Sequence, residues 1–140
     1  MKLKVLKKHN KKIRDFEKRE WDIADQEHYG KILDWSSKKF VVVAYEKTEM
    51  IGVIEFSIKV GVADIQTLIV SSTERGKGIG KALLTKTEEI AKKNDAHKLY
   101  LITGKGWKAE DFYKNFGMVK TADLPNHYIN RDFVAYSKFI

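Results

Sequence analysis

Apolar positions along the 140 residues follow two spacings, alternating and helical, and the chain divides where one gives way to the other. Lys2-Leu3-Lys4-Val5-Leu6 alternates and predicts a short first strand. Asn10 is placed to cap a helix in which Ile13, Phe16 and Glu17 follow, with Glu20 and Trp21 a turn later. Residues 22–37 are less regular, with Ile23, Ala24, Ile32, Leu33 and Trp35 apolar. They read as a loop and a second helix, interrupted at Gly30. A β-branched run at residues 40–45 predicts a strand, turned by residues 46–49 into another at 50–59. There Ile54, Phe56 and Ile58 share one face and Glu55, Ser57 and Lys59 the other. Val60-Gly61 reverses the chain into a strand at residues 62–70, completing an antiparallel meander.

Helical spacing resumes at Ile79, Leu83, Thr87 and Ile90, with Ala82 and Ala91 alongside, and ends near Asn94-Asp95. Residues 98–103 are strand-like and lead into a second glycine turn, Gly104-Lys105-Gly106. Ala109, Phe112 and Phe116 mark a short helix that Gly117 stops. Residues 118–121 and 133–139 complete the sheet, joined through a loop at residues 123–128. No repeat, low-complexity tract or linker interrupts the pattern. It predicts one α+β domain over residues 1–140.

Composition narrows the chemistry. Cysteine is absent, which removes disulfides, thiolate metal sites and a cysteine nucleophile together. The four histidines show no i, i+4 pairing. The opening MKLKVLKKHNKK has no apolar leader segment and no run reaches membrane-spanning length, so a soluble cytoplasmic protein without a membrane partner is the expectation. The net charge of +8 is concentrated at the front: residues 1–19 hold nine lysines and arginines against Asp15 and Glu17. These cations are interleaved with apolar residues, the pattern of a solvated face, which argues against nucleic acid as the partner.

One stretch carries the candidate chemistry. After Val70 a polar turn, Ser71-Ser72-Thr73-Glu74, leads to Arg75-Gly76-Lys77-Gly78-Ile79-Gly80 at the start of a helix. Alternate glycines let a backbone approach a ligand closely, and the first amides of a helix point outward without partners. With Arg75, Lys77 and Lys81 around them, they predict a phosphate-binding turn. A P-loop requires G-x-x-x-x-G-K-[ST]. Here Gly76 and Gly80-Lys81 stand one residue too close, and Ala82 replaces the metal-binding hydroxyl. A dinucleotide fingerprint fails at Lys81, where its third glycine belongs.

The remaining pattern, Arg75-x-x-Gly78-x-Gly80, resembles the acetyl-coenzyme A loop of the GCN5-related N-acetyltransferases. A second segment, Ala109-x-x-Phe112-Tyr113-x-x-x-Gly117, is similar to another motif of that family. The element order β-α-(α)-β-β-β-α-β-α-β-β agrees with it over nearly the whole chain. Two departures stand out: Gly106 occupies a position where the family often has an asparagine, and Met118 replaces a common phenylalanine.

The resemblance implies the acyl-CoA N-acyltransferase fold, a mostly antiparallel twisted sheet flanked by helices. It implies acetyl-CoA as cofactor, with Leu68, Ile69 and Val70 holding the pantetheine through main-chain hydrogen bonds. Arg75, Gly76, Lys77, Gly78, Ile79, Gly80 and Lys81 would hold the phosphates. Tyr113 is the expected acid for the departing thiolate and a cofactor contact. For the base, residues 64, 66, 68 and 70 share parity on a regular strand, so Asp64 is the candidate, with Glu55 and His127 as alternates. The implied activity is acetyl transfer to a primary amine of a small molecule or peptide. A coenzyme A-binding sensor without turnover is the alternative, and a homodimer is admissible. The acceptor site falls by resemblance at residues 21–37 and 123–131, a mixture of acids and aromatics from which no one amine can be read.

Overall fold

The computed structural model describes residues 1–140. Backbone contacts divide them into two compact units, Met1–Trp35 and Ser36–Ile140.

The first unit is built on helix α1, Lys11–Tyr29. Asn10 Oδ1 accepts the Ile13 N–H at 3.0 Å, satisfying one of the orphan donors at the helix start. Such a cap is worth about 1 kcal/mol. Lys11 pairs with Asp15 and Lys18 with Asp22 one turn apart, so part of the basic front is neutralised within the helix. Gly30, at φ 70°, closes α1 and donates its N–H to Gln26 O at 3.0 Å.

Two expectations for this segment fail. The helix runs through the irregular stretch to Tyr29, and no second helix follows. The reason is Asp25, only 3% exposed: its carboxylate accepts the Leu33 N–H and the Trp35 indole N–H, both at 3.0 Å. Those two bonds draw the chain after Gly30 back along α1. Residues 2–6 form no strand, and Leu3 and Val5 are exposed. Their alternation meets the side-chain rule of a strand, but no neighbouring backbone pairs with them.

The second unit is a six-stranded sheet. Its strands are β1 Lys38–Glu46, β2 Glu49–Lys59, β3 Val62–Val70, β4 Lys98–Gly104, β5 Val119–Leu124 and β6 Phe133–Phe139, in spatial order β1-β2-β3-β4-β6-β5. Every pairing is antiparallel except β3 with β4. Helix α2, Ile79–Lys93, connects those two strands, and α3, Ala109–Phe116, follows β4. β5 continues to Leu124, three residues further than its apolar run suggests, because it keeps pairing with β6.

Ile54, Phe56, Leu99, Val134 and Tyr136 form the core with Leu83, Leu84 and Ala91 of α2. Leu84 takes the buried place expected of Ala82, which is exposed. Buried Thr87 returns its hydroxyl to Leu83 O at 2.9 Å, so it brings no unpaired group inside. Gly52 lets α2 come close to β2: a Cβ there would lie 3.1 Å from both Ile79 and Leu83.

β3 is not regular. Glu55 pairs with Thr67 but Phe56 with Ile65, leaving Gln66 as the extra residue of a β-bulge. The amide of Gln66 donates to Ser57 Oγ at 2.9 Å, and Ser57 is buried rather than solvated with Glu55 and Lys59. The bulge changes the faces. Ile65 and Leu68 stand opposite Phe56 and Ile54 on the core side. Asp64 and Thr67 stand opposite Ser57 and Glu55 on the other. The shared parity of residues 64, 66, 68 and 70 is therefore broken, and Asp64 lies on the opposite face from Leu68 and Val70.

Candidate active site

The parallel pairing of β3 with β4 lasts three residues: Val62 with Lys98, Ala63 with Leu99 and Asp64 with Tyr100. Beyond Asp64 the strands part, and the β4-facing edge of residues 65–70 has no strand partner. Two clefts open along it.

The first, about 750 Å³, runs from the splayed strand to the glycine turn. It gathers Leu68, Ile69, Val70, Arg75, Gly76, Gly78, Ile79, Gly80, Lys81 and Tyr113, all of them read from the sequence as a cofactor site. Gly76 and Gly78 sit at φ 79° and 82°, with nothing within 4 Å of where a Cβ would stand. Both therefore combine a left-handed backbone with an open approach to the first amides of α2. Gly80 has a different reason. A Cβ there would lie 3.0 Å from Phe112 Cζ, so this glycine seats α2 against α3. Lys77 is not part of the lining: its ammonium lies 2.7 Å from Glu74 Oε2, and that hydrogen bond, with the accompanying charge attraction, raises its pKa. Lys108, which the sequence reading passed over, supplies a cation instead. Its place directly before the Ala109 motif was the available signal.

The second cleft, about 370 Å³, lies between β3 and β4. Ile65, Gln66 and Thr67 line one side, Leu101, Ile102 and Thr103 the other, with Trp107 and Phe133 among its remaining residues. Neither aromatic was picked out from the sequence. Tyr113, Leu68, Ile69 and Ala109 belong to both clefts, so the two meet there.

Tyr113 is 9% exposed, its ring 5.3 Å from Phe112 and 6.3 Å from Tyr136. Burial alone raises its pKa above that of an ordinary phenol, which keeps the hydroxyl protonated at neutral pH. Asp64 lines neither cleft. It is half-buried at the last paired position of β3, next to Ile65, and desolvation raises its carboxyl pKa. Glu55 is exposed on β2 opposite Thr67, and His127 lies against Tyr128 in the loop before β6.

A brace beneath the second glycine turn was also missed. Glu110 Oε2 accepts the Gly106 N–H and Oε1 accepts the Tyr136 hydroxyl, each at 2.6 Å. Gly106, standing where the family asparagine would be, is thus tied by its backbone to α3 and through it to β6. Burial, then the Glu110 hydrogen bond, pushes Tyr136 up to about 12, while the same bond lowers Glu110.

A mixed sheet that parts after its single parallel pairing, beside a glycine turn opening a helix, is the acyl-CoA N-acyltransferase fold. The family model described as the acetyltransferase (GNAT) family matches residues 10–118, and the chain belongs to that family. Three solved structures share its fold. An acetyltransferase from Bacillus cereus ATCC 14579 is 18% identical over 98% of both chains, with a TM-score of 0.74. A GNAT family acetyltransferase from Elizabethkingia anophelis, solved with acetyl-CoA bound, is 19% identical over 71% of this chain and 75% of its own, TM-score 0.67. The ribosomal-protein-S18-alanine N-acetyltransferase from Escherichia coli is 18% identical over 73% of this chain and 69% of its own, TM-score 0.68.

Proposed function

We propose that this chain transfers an acetyl group from acetyl-CoA to a primary amine, with the donor in the larger cleft and the amine in the smaller. The observation that carries this reading is the position of Tyr113, shared by both clefts. The residues present fit the donor. Arg75, Lys81 and Lys108 bring three cations to a cleft that includes the open glycines. The free edge of Leu68, Ile69 and Val70 offers main-chain groups to an amide-bearing arm, as an added strand would use them.

Bound acetyl-CoA supplies an activated acyl group: the amine nitrogen bonds to the acyl carbon, the carbon–sulfur bond breaks, and the electron pair leaves on sulfur. The protein's task is to manage protons and water. Tyr113, protonated at neutral pH, gives its proton to the departing sulfur and is reprotonated, through water, by the second proton that the nitrogen sheds as the amide forms. Asp64, which lines neither cleft, accepts through water the proton that the ammonium must lose. Its raised pKa makes it a stronger base than a solvated aspartate. The apolar walls of the smaller cleft limit competing hydrolysis.

Thiol release from acetyl-CoA, followed across a broad set of amines, tests the proposal. The expected result is release that depends on the amine, with a matching acetylated product by mass. Tight acetyl-CoA binding with no release for any amine would instead support a sensor.

A further inference from the structure

We infer that the acceptor is a small molecule carrying one primary amine on an aromatic or aliphatic body, and that the cleft at Trp107 and Phe133 rejects acceptors with further positive charges. This rests on the transferase reading above and names the substrate class of the same site.

The first observation is the lining. At about 370 Å³ the cleft has the size of a small-ligand pocket. Its polar side-chain groups are neutral: the amide of Gln66, the hydroxyls of Thr67 and Thr103, and that of Tyr113. It has no carboxylate. Several carboxylates on flanking elements are already engaged, and Asp64 and Glu55 line neither cleft. Asp132 accepts the Asn126 N–H at 3.0 Å, Asp123 pairs with Lys120 at 3.1 Å, and Glu110 holds Gly106 and Tyr136. A polyamine or aminoglycoside would bring ammonium groups that find no counter-charge there, and an unpaired buried charge is strongly disfavoured. A monoamine avoids this, since its only ammonium is the group that is deprotonated to react.

The second observation is a group of rings at the same place. Trp107 meets Phe133 edge-on at 5.7 Å, and Tyr128 meets Phe133 at 5.1 Å and 90°. His127 stands 4.3 Å from Tyr128. Gly104 seats the indole, since a Cβ on that residue would run into the Trp107 ring. Trp107 and Tyr128 nevertheless each remain 59% exposed. The loop that presents Tyr128 is strained: Asn126, Ile129 and Asn130 all have positive φ, and at Ile129 a β-branched residue is held at 48°. Such strain persists only where the surroundings impose it. Fixed, half-exposed rings form a wall for stacking an apolar body.

The test measures kcat/KM by thiol release with the full chain. Phenethylamine, tryptamine and hexylamine are compared with spermidine and kanamycin. The expected result is at least tenfold higher kcat/KM for the monoamines. Trp107→Ala should raise the phenethylamine KM about tenfold with the acetyl-CoA Kd unchanged by calorimetry, and Trp107→Phe should restore most of it. Because Trp107 packs on Gly104, a second variant leaves the rings in place: Thr67→Asp should shift preference at least tenfold toward spermidine. Equal or better turnover of spermidine or kanamycin by the native chain overturns the inference. So does Trp107→Ala with an unchanged phenethylamine KM, or Thr67→Asp with unchanged preference. No thiol release with any amine, despite acetyl-CoA binding, removes the transferase reading itself and the inference with it. Preference for polycations removes only the acceptor class.

Discussion

Lys77 and Lys81 are indistinguishable as charges in the sequence, yet one is paired with Glu74 and the other lines the donor cleft. Lys77→Ala should therefore change coenzyme A affinity less than twofold. Arg75→Ala and Lys81→Ala should each weaken it by about 1 kcal/mol, roughly fivefold, at partly exposed contacts. Calorimetric titration decides this, and equal losses at all three positions would contradict the assignment. Tyr113→Phe keeps the ring among Phe112 and Tyr136 and removes only the hydroxyl. With an acceptor for which chemistry is rate-limiting, kcat should fall by roughly 10²-fold while the acetyl-CoA KM moves little. Asp64→Asn should abolish the acid limb of the kcat/KM profile. In the native chain that limb should lie above the ordinary aspartate value, because desolvation raises the Asp64 pKa. A limb that survives in Asp64→Asn would pass the base role to another group. The two motifs made the glycines and Tyr113 legible from sequence. Trp107 and Phe133 were not legible, because residues 26 apart meet only after β4, α3 and β5 have folded.

Elements were legible where one period ran unbroken. β1, β2, β6 and α2 fall within about two residues of their apolar patterns, since each buries one continuous face. β3 was legible as a strand but not as a bulged one: the Gln66 side chain leaves the alternation unmarked, and only pairing with β2 exposes the extra residue. α1 outran its pattern because Asp25, polar and yet buried, is invisible to a hydrophobic period. The contact between α2 and α3 gives a prediction of its own. Gly80→Ala would place a methyl group 3.0 Å from the Phe112 ring, and overpacking of this kind costs about 1–3 kcal/mol. A lowered urea midpoint is the expected reading, with Phe112→Leu recovering part of the loss. An unchanged midpoint would mean that the Phe112 ring yields without cost.

For the whole molecule, the brace through Glu110 ties stability to pH at both ends. Tyr136 is held at about 12 against 10.0 for a free phenol, so its contribution is complete below pH 10 and is lost as pH rises toward 12. Glu110 is depressed, so its contribution is complete above the ordinary carboxylate value and is lost as pH falls through the lowered one. Urea midpoints across pH should show a plateau between these limits, and Tyr136→Phe should flatten the alkaline fall. A fall of the same size in that variant would point to another group.

A sheet joined at its middle by three residue pairs is mechanically two plates on a short hinge, β1-β2-β3 on one side and β4-β6-β5 on the other. Such plates can open as separate cooperative units, and amides on the free rim of β3 lack the latch that protects those facing β2. A ligand wedged into the parting would act as a strut, loading both plates at once. Hydrogen exchange should then slow at residues 65–70 and 101–104 together when coenzyme A is added, while amides of the β1–β2 hairpin far from the hinge keep their rates.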